Sequence, residues 1–300
     1  MLDLERAQLF KHEQGILTNM KLFCPILGRE TSTEPTPYKR DQWKVVRCLE
    51  TGFYFLENPP EYEMLETEFE WTKSYCSERK RRQTNEPIFS RISKESRRVR
   101  NILRSRHRNK FYTFAKQALA HSNHEQPCLI LDVGCGGGEL VKQLHDRLLL
   151  DGITTVPLGI EISNPLAEVA GKVLRSLGGD VIHASAIEGA AQCSPGSFDV
   201  VVMRSFLEHE RRPLELLHNL RQALKQDGVI IIKVPNFACW NRALRGSKWC
   251  GFRYPDHVNY FTPETMRILA KEAGYSMESG LLDRFPLSDS MYAVLRPLRT

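Results

Sequence analysis

Leu131-Asp132-Val133-Gly134-Cys135-Gly136-Gly137-Gly138-Glu139 carries the strongest structural signal in the chain. The apolar run from Cys128 to Val133 ends at these glycines, and from Glu139 to Leu150 apolar residues recur at helical spacing. The segment therefore reads as strand, glycine turn, helix. Glycines at such a junction let a ligand come close to the backbone, and the start of the helix offers amide donors. A dinucleotide fingerprint would place its third glycine, or an alanine, at the position of Glu139, so that ligand class fits poorly. The spacing fits acidic-x-Gly-x-Gly-x-Gly, with Asp132, Gly134, Gly136 and Gly138 in the four places. A turn built from glycine for tight packing alone is the competing reading.

The flanking sequence strengthens the ligand-binding reading. Val156 to Ile160 predicts a second strand ending in Gly159-Ile160-Glu161, where an acid at the carboxyl end can accept hydrogen bonds from a ribose diol. A helix is expected over Pro165 to Leu177, a third strand over Asp180 to His183 and a fourth over Phe198 to Met203. Leu214, Leu216, Leu217, Leu220 and Leu224 then line one helical face, and Asp227-Gly228 is expected to close that helix through a left-handed cap. Val229 to Val234 reads as a buried fifth strand. Strands and helices in alternation predict an α/β fold with a doubly wound parallel sheet. The polar stretch His121 to Pro127 marks its expected beginning.

Composition bounds the rest. A chain of 300 residues with 41% hydrophobic content can bury one substantial core and an appendage. The longest apolar runs, such as Val229 to Ile232, are too short to span a bilayer, and the N-terminal residues lack an apolar leader core, so a cytoplasmic protein is expected. Eight cysteines at 24, 48, 76, 128, 135, 193, 239 and 250 are too scattered for a disulfide framework. Charge is uneven: between Arg79 and Lys110, thirteen Lys or Arg stand against Glu86 and Glu95, while the whole chain carries +6. Such a stripe can bind phosphates, or it can be the solvated face of a helix whose Ile88, Ile92, Val99 and Leu103 face inward.

From Leu129 to Leu281 the chain resembles the class I S-adenosylmethionine-dependent methyltransferases, in the broad family that includes ubiquinone-biosynthesis O-methyltransferases and sugar or polyketide methyltransferases. The residues that carry this are Leu-Asp-Val-Gly-Cys-Gly-Gly-Gly from Leu131, Gly159-Ile160-Glu161, Ser197-Phe198-Asp199-Val200-Val201, Leu207-Glu208-His209, Asp227-Gly228 and Val234-Pro235-Asn236. The resemblance implies a Rossmann-like seven-stranded sheet and S-adenosyl-L-methionine as cofactor. It implies that Gly134, Cys135, Gly136 and Gly138 lie along the methionine part, with Asp132 near its amino end. Glu161, with Ile162 after it, would hold the ribose hydroxyls. The loop Ala184-Ser185-Ala186-Ile187-Glu188 would border the adenine at Ala186 and Ile187, although many relatives carry an acid near Ser185. Arg204 would lie beside cofactor or acceptor, or in a surface salt bridge.

Methyl transfer is an in-line displacement, so the protein has mainly to align the acceptor and remove a proton where one must leave. Candidates for that work are His209, in Glu208-His209, and His257 and Tyr260, in Tyr254-Pro255-Asp256-His257-Val258-Asn259-Tyr260-Phe261. That segment resembles the Pro-x-His plus aromatic motif of the family. Either histidine could instead only fix its loop by hydrogen bonds. Trp240, Trp249, Phe252, Tyr254 and Tyr260, interleaved with Arg242, Arg245, Lys248 and Arg253, suit a sugar, a flat ring, an anionic headgroup or a packed lid.

Ahead of this region, Cys24-Pro25-Ile26-Leu27-Gly28 and Cys48-Leu49-Glu50-Thr51-Gly52 resemble the zinc ribbon of some relatives, with Leu27 and Thr51 where each second cysteine would stand. Two thiols cannot complete a four-ligand site, so no bound metal is expected there or elsewhere. The expected organisation is a degenerate ribbon over 1–60, a basic helical cap over 61–126 that includes a helix from Glu61 to Arg82, and the methyltransferase domain over 127–300. The expected acceptor is a small molecule or a glycan or lipid-linked intermediate. An RNA methyltransferase using the basic stripe and an inactive cofactor-binding scaffold are the alternatives. The acceptor atom and the oligomeric state are not legible.

Overall fold

The computed structural model describes residues 20–62, 110–120, 127–278 and 288–298. The basic stretch up to Asn109, and the helix expected over Glu61 to Arg82 beyond its first two residues, lie outside them.

The larger sheet holds seven strands: β5 (Cys128–Val133), β6 (Thr155–Glu161), β7 (Asp180–His183), β8 (Phe198–Arg204), β9 (Leu224–Pro235), β11 (Tyr275–Glu278) and β12 (Ser290–Pro297), in the order β11-β12-β9-β8-β5-β6-β7. From β7 to β9 all neighbours are parallel, and β12 runs antiparallel to both β9 and β11. The central strands are continuous apolar runs because helices cover both faces. On one face Leu131, Val133, Val201, Met203, Ile230 and Ile232 meet α4 (Ala186–Gln192), α5 (Pro213–Ala223) and α7 (Pro263–Glu272). On the other, Ile130, Val200, Val202, Val229 and Ile231 meet α1 (Lys110–Ala120), α2 (Glu139–Leu150) and Leu174 of α3 (Asn164–Arg175). The chain order reverses between β5 and β8, and in such sheets ligands sit at the carboxyl ends beside that switch. Among the described residues no helix is long and apolar enough to cross a membrane.

Asp227-Gly228 does not cap a helix. The helix ends at Ala223, Leu224 is already extended, and Gly228 lies within β9. The ladder with β8 shifts register between Phe198 and Val200. A Cβ on Gly228 would stand 2.9 Å from the Phe198 carbonyl oxygen, so glycine here serves close strand approach.

A second, antiparallel sheet is built from β1 (Met20–Cys24), β2 (Arg29–Arg40), β3 (Trp43–Cys48) and β4 (Tyr54–Leu56). Its fifth strand is β10 (Asn259–Tyr260), which comes from the far end of the chain and pairs with Tyr54 and Phe55. Cys24, Ile26, Val46, Cys48, Phe53 and Phe55 join the same apolar cluster as one face of the larger sheet. Cys24 and Cys48 each start a tight turn, their carbonyls accepting from the amides of Gly28 and Gly52 at 2.9 Å. Burial, with Cys48 beside it, pushes the Cys24 thiol up to about 12.

Candidate active site

The glycine turn between β5 and α2 has its glycines in the left-handed region, with φ of 71° at Gly134, 55° at Gly136 and 85° at Gly138. The amides of Gly134 and Cys135 donate to the Ile160 carbonyl at 2.9 and 3.1 Å, pinning the turn to β6. Glu161, at the end of β6, accepts from the Gly136 amide at 2.8 Å and from the Ser163 amide at 2.9 Å. The ribose candidate therefore also holds the loop in shape. A Cβ on Gly134 would stand 2.2 Å from the Phe206 ring, whereas one on Gly136 would meet nothing within 4 Å. Gly136 is where the turn faces open space.

Asp132 is buried beneath this turn. Burial pushes its carboxyl up to about 7, against the pull of Arg204, which stands exposed at the end of β8. Cys135 is buried, and its thiol is raised by desolvation and the nearby Asp132 and Glu161. The Ile162 carbonyl faces His183 Nε2 at 3.0 Å. Ala186 and Ile187 open α4 with buried side chains. Ser185 caps α4 by accepting from the Glu188 amide and donates to the Glu188 carboxylate at 2.8 Å. The carboxylate of this loop is thus supplied by Glu188.

Beyond β8 the chain turns at Ser205 (φ 54°) and places Phe206 over Gly134. One turn later come Glu208 and His209, the His209 amide donating to the Phe206 carbonyl at 2.8 Å. The Glu208 carbonyl accepts from the amides of Val258 and Asn259 at 2.9 and 3.1 Å. The Asn259 side chain donates back to the Leu207 and Glu210 carbonyls at 3.1 and 2.6 Å. Two loops some fifty residues apart are so locked together, with the rings of His209 and His257 edge to face at 4.8 Å. His209 Nδ1 lies 3.0 Å from the Asp256 carboxylate and 2.8 Å from its carbonyl. His257 Nδ1 lies 2.8 Å from the Gly251 carbonyl. Both Nδ1 atoms thus face acceptors, which favours the Nδ1–H tautomer of each neutral ring and leaves each buried Nε2 without a hydrogen-bond partner.

Charges in this pocket are strongly coupled. Burial opposes ionisation of the His209 ring, but the Asp256 carboxylate outweighs it and holds the imidazole above its ordinary value. Burial and the neighbouring His209 push His257 well below the imidazole range. Asp256 is desolvated too, yet His209, His257 and Arg253 hold it well below the usual carboxylate range, and Arg253 Nη2 lies 2.6 Å from its Oδ2. Glu208 is pushed up by burial to about 7.

Tyr260, the third catalytic candidate, packs into an aromatic wall, with Phe252 at 5.2 Å and Phe237 at 5.6 Å between ring centroids. Desolvation raises its hydroxyl well above the phenol range. Trp249, Phe252 and Tyr54 belong to the same wall, and Arg242 lies 4.4 Å over Phe237. Trp249 donates to Asp289 at 3.0 Å, so these rings are packed structure, while Trp240 is exposed. Sequence reading missed Asp256 and Asn259. Asp256 had a weak signal, its place next to His257, whereas Asn259 acts through backbone contacts that no motif announces.

The family model described as "Methyltransferase domain" matches residues 94–279. The ubiquinone biosynthesis O-methyltransferase of Thiobacillus denitrificans is 28% identical over 156 residues, which cover 50% of this chain and 65% of that one. The mitochondrial enzyme of the same name from Schizosaccharomyces pombe is 33% identical over 105 residues, 34% of this chain and 36% of that protein. The chain thus spans less than two-thirds of these relatives' lengths. Among solved structures, the plantazolicin methyltransferase BamL, crystallised with a triazolic desmethylPZN analog and SAH, superposes with a TM-score of 0.50 at 15% identity, covering 62% of this chain and 82% of that one.

Proposed function

The chain belongs to the methyltransferase-domain family, and on that premise we propose that it transfers a methyl group from S-adenosyl-L-methionine to a small-molecule, glycan or lipid-linked acceptor in the cytoplasm. The observation that carries this reading is the open face of the glycine turn at Gly136, set between the buried carboxyl of Asp132 and the loop-holding Glu161. A cationic amino group suits Asp132, and Glu161 has lone pairs left for a ribose diol after accepting from the Gly136 and Ser163 amides. Arg204, Ile162, Ala186 and Ile187 follow the carboxyl ends of β8, β6 and β7 and are assigned to the same cofactor site on this reading.

The cofactor, when bound, supplies a sulfonium methyl carbon for in-line displacement, the S–C bond breaking as the acceptor–C bond forms. The protein's part is alignment and proton removal. Phe206 walls the turn, and the group of Glu208, His209 and His257 follows one turn beyond it, which supports an acceptor site against that group. The aromatic cluster of Phe237, Phe252 and Tyr260, packed on Val45 and Leu56 of the antiparallel sheet, suits the exclusion of water from such a site. On this reading the acceptor's proton leaves through the Glu208–His209–His257 group, with Asp256 holding His209 in orientation.

Isothermal calorimetry tests the premise: S-adenosylhomocysteine should bind one per chain, NAD should not compete, and Glu161→Ala should cost about 1 to 3 kcal/mol of affinity. Tight NAD binding, or S-adenosylhomocysteine binding that survives Gly136→Val, would overturn it. Methyl-labelled cofactor incubated with a metabolite extract then reads out the acceptor.

A further inference from the structure

We propose that Glu208, His209 and His257 form a binding site for one divalent transition-metal ion. Their ligand atoms lie within 4.8 Å of one another, and the Glu208 Oε2, His209 Nε2 and His257 Nε2 atoms are buried without a hydrogen-bond partner. A buried polar atom left unsatisfied is costly, typically about 1 to 3 kcal/mol. Here each of three neighbouring residues has one, and a cation held among them would satisfy them.

The surroundings are those of a ligand set. A metal-binding histidine nearly always donates its other ring N–H to a carboxylate or carbonyl, which fixes the tautomer and sharpens the free lone pair. His209 has the Asp256 carboxylate at 3.0 Å and His257 the Gly251 carbonyl at 2.8 Å in those places. Asp256, which holds His209, is itself held by Arg253 Nη2 at 2.6 Å from its Oδ2. Two imidazoles and one carboxylate suit Zn²⁺, Fe²⁺, Co²⁺ or Mn²⁺, and three protein ligands leave positions open. Glu208 and His257 are buried, while 17% of the His209 side chain reaches solvent. For its role in the reaction the inference rests on the function proposed above: the ion would hold an acceptor oxygen and lower the cost of its ionisation. Binding of the ion itself is tested without turnover.

The full chain, stripped with a chelator and dialysed, is titrated with Co²⁺, followed by visible absorption and calorimetry, and S-adenosylhomocysteine binding is measured on the same sample. One Co²⁺ per chain is expected, with a ligand-field band. Either His209→Ala or His257→Ala should weaken binding more than the roughly 10- to 100-fold typical of losing an outer partner, and Asp256→Asn, which keeps all three ligands, by about that amount. Cys24→Ser/Cys48→Ser should change nothing. Retained S-adenosylhomocysteine binding in each variant shows that the fold and the methyltransferase reading survive separately. Absence of saturable Co²⁺ binding in wild-type protein that binds S-adenosylhomocysteine would overturn the inference, as would binding lost with the two cysteines and kept without the histidines.

Discussion

Asp132→Asn removes the charge buried beneath the glycine turn, and its consequences can be worked out from one number. The wild-type carboxyl titrates at about 7 because it is desolvated. Roughly a tenth of the free protein then carries the anion near pH 6 and roughly nine-tenths near pH 8. A ligand whose ammonium group requires that anion binds roughly tenfold more tightly at the higher pH, about 1.4 kcal/mol. Calorimetry with S-adenosylhomocysteine at three pH values, in two buffers of different ionisation enthalpy, should show this gain and about half a proton released near pH 7. Asp132→Asn should bind more weakly and flatten the profile. Stability should move the other way. The native carboxyl titrates above the ordinary 3.8, so protonation favours the fold; that contribution is complete below the unfolded pKa and is lost as pH rises through 7. A shift of about three units is on the order of 4 kcal/mol. The variant should therefore unfold at a higher temperature than wild type near pH 8 and at a similar one near pH 4. A pH-independent wild-type affinity, or no gain in stability for the variant at pH 8, would refute the reasoning.

Gly136→Val has room for its Cβ, which meets nothing within 4 Å, so it should lose only the backbone cost of a β-branched residue at a φ of 55°, about 1 to 3 kcal/mol, yet abolish S-adenosylhomocysteine binding; a loss well beyond that would mean the position is structural. Gly134→Ala should instead destabilise by about 2 to 4 kcal/mol, since its Cβ would stand 2.2 Å from Phe206 at a φ of 71°. Denaturant unfolding reads this, and a near-neutral result would show that Phe206 swings away freely. Asp256→Asn should lower the His209 pKa. The stability from a raised histidine pKa is present below the unfolded value and lost as pH rises through the folded one, so the variant should lose more stability near pH 5.5 than near pH 9. An equal loss at both pH values would leave only the Arg253 ion pair and packing to explain the effect.

The alternation of strands and helices from Cys128 onward was legible because each element keeps its own period: continuous apolar runs in strands covered on both faces, and helical spacing in the segments that cover them. The glycine turn was legible because only glycine takes the required φ at Gly134, Gly136 and Gly138. The same logic misled at Asp227-Gly228. A glycine after a leucine-rich helix resembles a cap, but its role is set by the Phe198 carbonyl on the neighbouring strand, which local sequence cannot report.

Local residue chemistry thus determined the larger sheet and its glycine turn, and singled out His209 and His257 as candidates. It did not determine that His257 meets His209, that Asp256 turns the His209 ring, or that Asn259 and Tyr260 complete a sheet begun two hundred residues earlier. It also gave no hint that Glu208, His209 and His257 come together, because they lie on two loops whose spacing along the chain follows no ligand pattern. Those loops are joined by the Val258 and Asn259 amides on the Glu208 carbonyl and by the Asn259 side chain on two further carbonyls. Backbone groups are the same at every residue, so bonds of this kind leave no trace in the sequence. Their effect becomes visible only when the folded chain brings the two loops together.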